Sequence, residues 1–314
     1  MEKLLFEPLQ VKGKNFRNRI VMPPMVVNRD IHTPDGWEWY ARHARGGVAL
    51  VIVESSDVIN FGSLFSARNL KPLVEGIHRE GSLAAIQIYP GIRQKKVHPA
   101  ELSLDDIHTL VEGYRLATEI CIEAGFDGIE PHGAHGYLLT RFFSPVKNLR
   151  QDGYGGSLEG RMCLALEIME TIQPIAAGAG ALVLYRHTPV GPGYGIAESL
   201  CLASELVRRG LDILDISPAS DQAPGDRAAP FMQLGIPVIA VNEMHHIERA
   251  VEVLREKRAD LVAVGRGLIA DPDWTIKVKE GRPTDIIECL ECDECFACLD
   301  RGVAVTCTQW ARVD

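Results

Sequence analysis

The sequence predicts an α/β protein built on a (β/α)8 TIM barrel, with a cysteine-rich extension at its C-terminal end. Three observations lead to this prediction: eight short apolar runs recur, helical patterns separate them, and polar residues cluster where the runs end. Near-continuous apolar strands are typical of a parallel sheet covered on both faces, and a barrel carries its active site at the strand ends. An open doubly wound sheet is the alternative. The number of strands and the lack of a glycine-rich dinucleotide motif after the first strand disfavour it.

The predicted strands follow one another with room for a helix after most of them. They are RIVM (19–22), VALVIVE (48–54), LAAIQI (83–88), DGIEP (127–131), ALVLY (181–185), DILDIS (212–217), IPVIAV (236–241) and DLVAVG (260–265). Amphipathic patterns predict helices between them, most clearly over 102–125, 157–176 and 198–210.

The ends of these helices have suitable capping residues. Ser103 and Ser157 can accept a hydrogen bond from a backbone N–H in the first helical turn. Gly125 and Gly210 can end helices in the left-handed conformation. The glycine-rich segment 153–157 has no strand before it. It therefore predicts a turn and not a phosphate-binding loop.

Composition limits the classes of function. The chain has 314 residues and a net charge of −9, which argues against nucleic acid or an anionic membrane as the main partner. No apolar run approaches the 18 residues of a membrane span, and the first twenty residues lack a signal-peptide pattern. We therefore expect a cytoplasmic protein, in which clustered cysteines bind metal or take part in catalysis more often than they form disulfides.

Mostly polar residues mark the predicted strand ends. The residues at these ends are Met25, Glu54, Ser55, Gln87, His132, His135, Arg186, Ser217, Asn242, Gly265 and Arg266. Gln87 can both donate to and accept from the edge of a heteroaromatic ring, and Arg186 can place a positive charge beside it. The segment 264–274, VGRGLIADPDW, supplies glycines and an arginine where such barrels bind phosphate. Together these features predict FMN as the cofactor.

Three segments also carry a resemblance to a known family. They are LFEPLQVKGKNFRNRIVMPPM (5–25), DGIEPHGAHGYLLTRFFSPVKNLRQDGYGGSLEGR (127–161) and IPVIAVNEM…ADLVAVGRGLIADPDW (236–274). In these segments the chain resembles the Old Yellow Enzyme family of FMN barrels. Its cysteine tail is similar to the iron–sulfur branch of that family, which includes trimethylamine dehydrogenase and 2,4-dienoyl-CoA reductase.

The resemblance implies positions around the cofactor. Those around the ring are Pro24, Met25, Ser55, Gln87 and Arg186. Those around the phosphate are Asn242, Gly265 and Arg266, with Asn242 at a position where relatives usually have glycine. No cysteine lies in the first strand–helix unit, so we expect FMN to be bound non-covalently.

The segment HGAHGY carries the implied catalytic residues. His132 and His135 match the pair that binds a substrate carbonyl in the ene-reductase branch, and Tyr137 matches its proton donor. Two imidazole donors suit the enolate-like charge that develops when hydride adds to the β-carbon of an enone, and a phenol can then protonate the α-carbon. The segment after the third strand, 89–104, is shorter than in relatives, so the small-molecule substrate is not identified.

Two alternatives remain open. An amine dehydrogenase or demethylase of the trimethylamine dehydrogenase type is disfavoured by the histidine pair, because those relatives carry a tyrosine at the first position. A non-catalytic electron-transfer or zinc-stabilised scaffold is the alternative from another class.

The cysteine tail predicts a metal centre. Cys289, Cys292, Cys295 and Cys307 have the spacing C-x2-C-x2-C-x11-C, which favours a [4Fe–4S] cluster, whereas structural zinc prefers two separated pairs. A second register replaces Cys289 by Cys298. We therefore predict an FMN-binding barrel over 1–283 and a cluster-binding tail over 284–314, packed on the barrel.

A cluster handles single electrons, so it would connect the flavin to a one-electron carrier. The expected partner is a separate electron donor, either a ferredoxin, a flavodoxin or an FAD/NAD(P)H module. A homo-oligomer is compatible with the sequence.

Overall fold

The fold is a closed parallel barrel. The computed structural model describes residues 2–90, 97–218 and 227–310. A short antiparallel hairpin, β1 (Leu9–Val11) and β2 (Lys14–Phe16), comes first. The barrel strands are β3 (Ile20–Met22), β4 (Leu50–Asp57), β5 (Leu83–Tyr89), β6 (Gly128–Gly133), β7 (Leu182–His187), β8 (Ile213–Ile216), β9 (Val238–Ala240) and β10 (Leu261–Ala263). Each strand pairs in parallel with the next, and β10 closes the ring by pairing with β3. The predicted barrel is confirmed.

Helices follow the strands and surround the barrel. The α-helices are α1 (Pro34–Arg45), α2 (Ala67–Arg79), α3 (Leu104–Ala124), α4 (Leu138–Phe143), α5 (Leu158–Gly178), α6 (Ile196–Arg208), α7 (Ile247–Arg255), α8 (Arg266–Ala270), α9 (Trp274–Lys279) and α10 (Glu294–Asp300). Short 3-10 helices cover Glu2–Phe6, Val58–Asn60, Pro99–Glu101, Ala229–Leu234 and Pro283–Asp285. Among the described residues, no helix is long and apolar enough to cross a membrane.

The predicted caps act as expected. The Ser103 hydroxyl accepts the Asp106 N–H, and the Ser157 hydroxyl accepts the Gly160 N–H. Gly125 ends α3 with φ of 99°, a left-handed conformation that costs glycine little. The segment 153–157 forms turns and bends before α5, in agreement with the prediction.

The hairpin β1–β2 seals the amino-terminal end of the barrel, a feature that the sequence analysis did not predict. Val11 and Phe16 are buried in one cluster with apolar side chains from the barrel strands. Lys12 forms an ion pair with Asp212, and Lys14 forms one with Asp127 at 2.8 Å. The hairpin therefore closes the end opposite to the strand termini that carry the candidate site.

The tail packs on the carboxyl-terminal side of the barrel. The Val305 N–H donates to the Val27 carbonyl, just after β3, at 2.9 Å. The Trp310 indole donates to the Ala270 carbonyl, at the end of α8, at 3.1 Å, and its ring lies 6.1 Å from the ring of Trp39. These contacts join the tail to the first and eighth strand–helix units. The division into domains at residues 283 and 284 stays a prediction.

Candidate active site

A buried polar layer crosses the barrel near its carboxyl-terminal end. Gln87 and Glu130 face each other in register on β5 and β6, and the Gln87 amide donates to Glu130 Oε1 at 2.7 Å. Arg186 and Asp215 are register partners on β7 and β8, with Arg186 Nε 3.4 Å from Asp215 Oδ2. All four residues are buried. The layer therefore has one permanent cation and two carboxyl groups in a dry environment.

Burial controls protonation in this layer. It raises the pKa of Glu130 to about 8, and the neighbouring Asp215 carboxyl adds to the increase. Burial also raises the pKa of Asp215, while the positive charge of Arg186 opposes that change. These effects favour the protonated form of Glu130. Its Oε2 atom is buried and makes no hydrogen bond within the described part of the chain.

The two predicted catalytic histidines come together above this layer. His132 Nε2 and His135 Nδ1 are 3.3 Å apart, and the ring centroids are separated by 5.2 Å. Burial lowers the pKa of His132, and His135 and Arg186 lower it further. The pKa of His135 is also lowered, by burial of its ring and then by Arg186, although the residue keeps an exposed edge that a ligand can reach. These shifts favour the neutral form of both rings, in which each has a single N–H.

Tyr137 lies beside the histidine pair. Its ring centroid is 5.0 Å from that of His132 and 6.0 Å from that of Tyr89, both with edge-to-face geometry. The residue immediately precedes α4 and is half-buried. The structure thus brings together the three residues that the sequence analysis predicted to be catalytic.

The segment after β3 lies against the same end of the barrel. The Arg186 guanidinium donates to the Pro24 carbonyl in a long hydrogen bond of 3.4 Å. A Cβ atom added to Gly265 would lie 3.4 Å from Met25 Sδ, so these two residues are neighbours in the fold. Ser55 is half-buried near the end of β4. The ring-binding residues predicted from the sequence therefore lie at the carboxyl ends of neighbouring strands.

The predicted phosphate-binding residues show one difference from expectation. Asn242, after β9, adopts φ of 72°, and Gly265 precedes α8. Arg266, however, donates to Glu291 and Asp293 in the cysteine tail, at 3.2 and 3.3 Å. Its guanidinium is thus held by two carboxylates that the sequence analysis did not consider.

Glu291 also lies near a pair of histidines. His245, His246 and Glu291 offer ligand atoms within 4.8 Å of one another, and His245 Nε2 is 3.7 Å from Glu291 Oε1. The Arg266 guanidinium already contacts that oxygen at 3.2 Å, so a cation is present there without a metal ion.

The cysteine tail separates four thiols from a fifth. Cys298 is fully buried on α10, whereas Cys289, Cys295 and Cys307 are half-buried and Cys292 is exposed. Burial raises the pKa of Cys295 and of Cys307. Cys289 also raises the pKa of Cys295, and Cys289 and Cys292 raise that of Cys307. The four thiols of the preferred register therefore lie close enough to influence one another.

The residues present fit a flavin. Arg186, Gln87 and the carbonyl of Pro24 supply fixed polar groups at the strand ends. Glu130 Oε2 and His132 Nδ1 are buried and make no hydrogen bond within the described residues. Unpaired buried polar atoms are costly, so a polar ligand at this position would stabilise the site.

Comparisons with known proteins agree with this arrangement. Residues 4–100 and 92–285 match the model of the NADH:flavin oxidoreductase / NADH oxidase family. The NADH oxidase of Thermoanaerobacter brockii is 33% identical, over 92% of this chain and 52% of that protein. The probable NADH-dependent flavin oxidoreductase YqiG of Bacillus subtilis is 32% identical, over 90% of each chain. The structure of morphinone reductase in complex with tetrahydroNAD superposes with a TM-score of 0.74, at 26% identity, over 88% of this chain and 91% of that one.

The fold and the family match assign this chain to the flavin-dependent oxidoreductases of the Old Yellow Enzyme type. The chain belongs to the NADH:flavin oxidoreductase / NADH oxidase family. Membership implies FMN as the cofactor. The chain spans about half the length of the T. brockii relative, and the family match ends at residue 285, before the cysteines of the tail.

The sequence analysis missed two residues of the site and left a third without a role. Glu130 lies two residues before His132 on β6, and Asp215 lies two residues before Ser217. Alternate residues of a strand point to the same face, so this spacing could have placed both carboxyl groups inside the barrel. Ser217 was identified only as a polar strand end, yet its hydroxyl contacts both Arg186 and His135.

Proposed function

We propose that this chain is an FMN-dependent reductase of carbon–carbon double bonds conjugated to a carbonyl group, supplied with electrons through a [4Fe–4S] cluster. The approach of His132 Nε2 and His135 Nδ1 to 3.3 Å is the single observation that carries this proposal. Two neutral imidazoles that converge at the open end of a barrel can direct their N–H groups at one acceptor, such as a carbonyl oxygen.

These donors favour the transition state over the ground state. When bound, FMN supplies the hydride that adds to the β-carbon of the substrate. The carbonyl oxygen becomes more negative during this addition, so hydrogen bonds from His132 and His135 strengthen as the reaction proceeds. Tyr137 would donate a proton to the α-carbon, which completes the reduction of the double bond.

The residues for FMN are those at the strand ends. Gln87 and Arg186 would contact the pyrimidine edge of the ring, beside Pro24, Met25 and Ser55. Asn242, Gly265 and Arg266 would hold the phosphate. Since Arg266 is bound by two carboxylates of the tail, it would connect the cofactor phosphate to the cysteine segment.

The spacing of the cysteines supports the cluster over zinc. We propose the register Cys289, Cys292, Cys295 and Cys307, in which Cys298, buried on α10, is the spare cysteine. The spacing C-x2-C-x2-C-x11-C of these four cysteines favours the cluster, whereas structural zinc prefers two separated pairs.

The electron source is the less constrained part of the proposal. The family description names NADH, and the T. brockii relative, an NADH oxidase, has about twice the length of this chain. We propose that a separate donor protein or module reduces the cluster. Direct reduction of the protein by NADH is the alternative. Measurement of flavin reduction by NADH with and without a ferredoxin would separate the two routes.

An amine dehydrogenase is the second candidate function. Histamine dehydrogenase from Rhizobium sp. 4-9 superposes with a TM-score of 0.83, but at 23% identity this likeness concerns the fold alone. A pair of neutral N–H donors suits an anionic oxygen better than an amine.

One experiment separates the candidates. The holoenzyme is photoreduced without oxygen and mixed with 2-cyclohexen-1-one or, separately, with trimethylamine. Rapid flavin reoxidation by the enone, with formation of the saturated ketone, supports the proposal. Reduction of oxidised flavin by trimethylamine, without any reaction with the enone, would replace it by the amine dehydrogenase.

A further inference from the structure

We propose that Ser217 is a positioning residue that fixes His135 in the tautomer with its proton on Nδ1. This proton would then face His132 and the substrate carbonyl. The inference rests on the proposed function, because that carbonyl is the acceptor which the proton would serve.

The argument begins with the contacts of the Ser217 hydroxyl. Ser217 is buried, and its Oγ lies 2.9 Å from Arg186 Nη2 and 2.8 Å from His135 Nε2. A guanidinium can only donate, so Ser217 Oγ accepts a hydrogen bond from Arg186. The hydroxyl proton of Ser217 is therefore left for another acceptor.

His135 Nε2 is the acceptor that the geometry offers. If the hydroxyl donates to Nε2, the neutral imidazole must carry its proton on Nδ1. If Nε2 instead donated to Ser217 Oγ, the buried hydroxyl would have no acceptor for its own proton among the described contacts, which is unfavourable. Burial, and then the positive charge of Arg186, lower the pKa of His135 and favour the neutral ring, so the choice is between its two tautomers.

The backbone holds His135 in position for this contact. The residue has φ of 59°, and its N–H donates to Thr188 Oγ1 at 2.9 Å. Thr188 in turn donates to the Ser217 carbonyl at 2.9 Å. The main chain and the side chain of Ser217 thus both connect to His135.

His132 differs from His135 in this respect. Its Nδ1 atom is buried and makes no hydrogen bond within the described part of the chain. No comparable group fixes its tautomer, so His132 can accept from His135 Nδ1–H before substrate binds and donate to the carbonyl afterwards. The tautomer of His135 would be fixed before substrate binds, whereas that of His132 would change when substrate binds.

The chain contains a matched control pair. Ser199 Oγ lies 2.8 Å from His187 Nε2, the same distance as in the Ser217–His135 pair, and both residues are buried. The Ser199 hydroxyl, however, donates to the Pro189 carbonyl at 2.8 Å. It must therefore accept from His187, whose proton is expected on Nε2. Two serine–histidine pairs of equal length thus predict opposite tautomers.

The test is nitrogen NMR of the FMN-loaded protein labelled with ¹⁵N-histidine. The parent protein should show His135 protonated on Nδ1 and His187 protonated on Nε2. Ser217→Ala should move the His135 proton to Nε2 or give a mixture, whereas Ser217→Thr should restore the parent pattern. Ser199→Ala should leave His135 unchanged. The kcat for 2-cyclohexen-1-one should fall about tenfold in Ser217→Ala and recover in Ser217→Thr. This decrease is smaller than that expected for complete removal of one hydrogen-bond donor.

The outcomes separate this inference from the proposed function. A parent protein with His135 protonated on Nε2, or a Ser217→Ala variant that keeps the proton on Nδ1, would overturn the role of Ser217. If the tautomers follow the prediction but the parent protein does not reduce the enone, Ser217 sets the tautomer and the proposed reaction is wrong.

Discussion

The Gln87 amide donates a hydrogen bond of 2.7 Å to Glu130 Oε1, and these two residues face each other in register on neighbouring strands. The amide uses one oxygen of a carboxyl group whose pKa burial raises to about 8. Burial thus favours a protonated carboxyl group within the polar layer on which the candidate flavin site is built.

Glu130→Gln should remove part of the pH dependence of stability. The folded protein holds the Glu130 proton more tightly than the unfolded chain, whose carboxyl has a pKa near 4.5. The contribution of this group is therefore fully present below pH 4.5 and is lost as the pH rises through about 8. Urea unfolding at pH 6 and pH 9 should show a smaller loss of stability in the variant than in the parent. The exposed Glu112→Gln is the control, and an unchanged slope in Glu130→Gln would show that Glu130 is ionised throughout.

FMN should be bound without a covalent link, since no cysteine lies between residues 1 and 120. Acid precipitation of the protein should release yellow flavin into the supernatant, where its absorbance and phosphate content can be measured. Flavin that remains in the pellet would contradict the non-covalent attachment.

His132→Ala should reduce the rate of enone reduction by about 10²-fold or more, the typical effect of losing one preorganised donor at a developing oxyanion. Stopped-flow measurement of flavin reoxidation by 2-cyclohexen-1-one gives this rate directly. The matched control is His108→Ala, because His108 is an exposed histidine on α3. Equal rates in His132→Ala and the parent would exclude the carbonyl-binding role.

Tyr137→Phe should slow protonation of the α-carbon and leave substrate binding largely unchanged, because the phenol acts after the carbonyl is bound. The ring of phenylalanine keeps the edge-to-face contact with His132, so the change is confined to the hydroxyl. The measurement is the kcat and the KM for the enone. A variant with a large increase in KM and an unchanged kcat would assign Tyr137 to binding instead.

Protein purified without oxygen should contain about four iron atoms per chain, one for each corner of the cluster. Alanine at Cys289, Cys292, Cys295 or Cys307 should cause loss or degradation of the brown chromophore. Cys298→Ala should keep it, since Cys298 lies outside the preferred ligand set.

Cys289 and Cys298 form the pair that decides the register. If the chromophore survives in Cys289→Ala and is lost in Cys298→Ala, Cys298 replaces Cys289 in the ligand set. Zinc in place of iron in every preparation would remove the electron relay from the proposal.

The sequence predicted the barrel well because its signal is local. Runs such as 48–54 and 83–88 are almost continuously apolar, as is typical of a strand buried on both faces. The hairpin β1–β2 escaped prediction, since its three-residue strands are too short to show a period and Phe16 is fixed by contacts inside the barrel. The hydrogen-bond partners of Arg266 were not predicted for a different reason. Glu291 and Asp293 reach it only through the fold of the tail, which no local pattern encodes. The segment after the third strand includes residues 91–96, which lie outside the described residues. That this segment is shorter than in relatives stays a prediction.

The hydrogen bond from Val305 to Val27 has a consequence for biosynthesis. During translation the segment that carries Pro24 and Met25 leaves the ribosome first. The tail segment that contacts it is synthesised only near the end of the described chain. Contacts between distant segments form slowly, and apolar surface that remains uncovered in the meantime is a substrate for chaperones and proteases. A translation product that stops before the tail therefore keeps this segment open to proteases, whereas complete chains cover it.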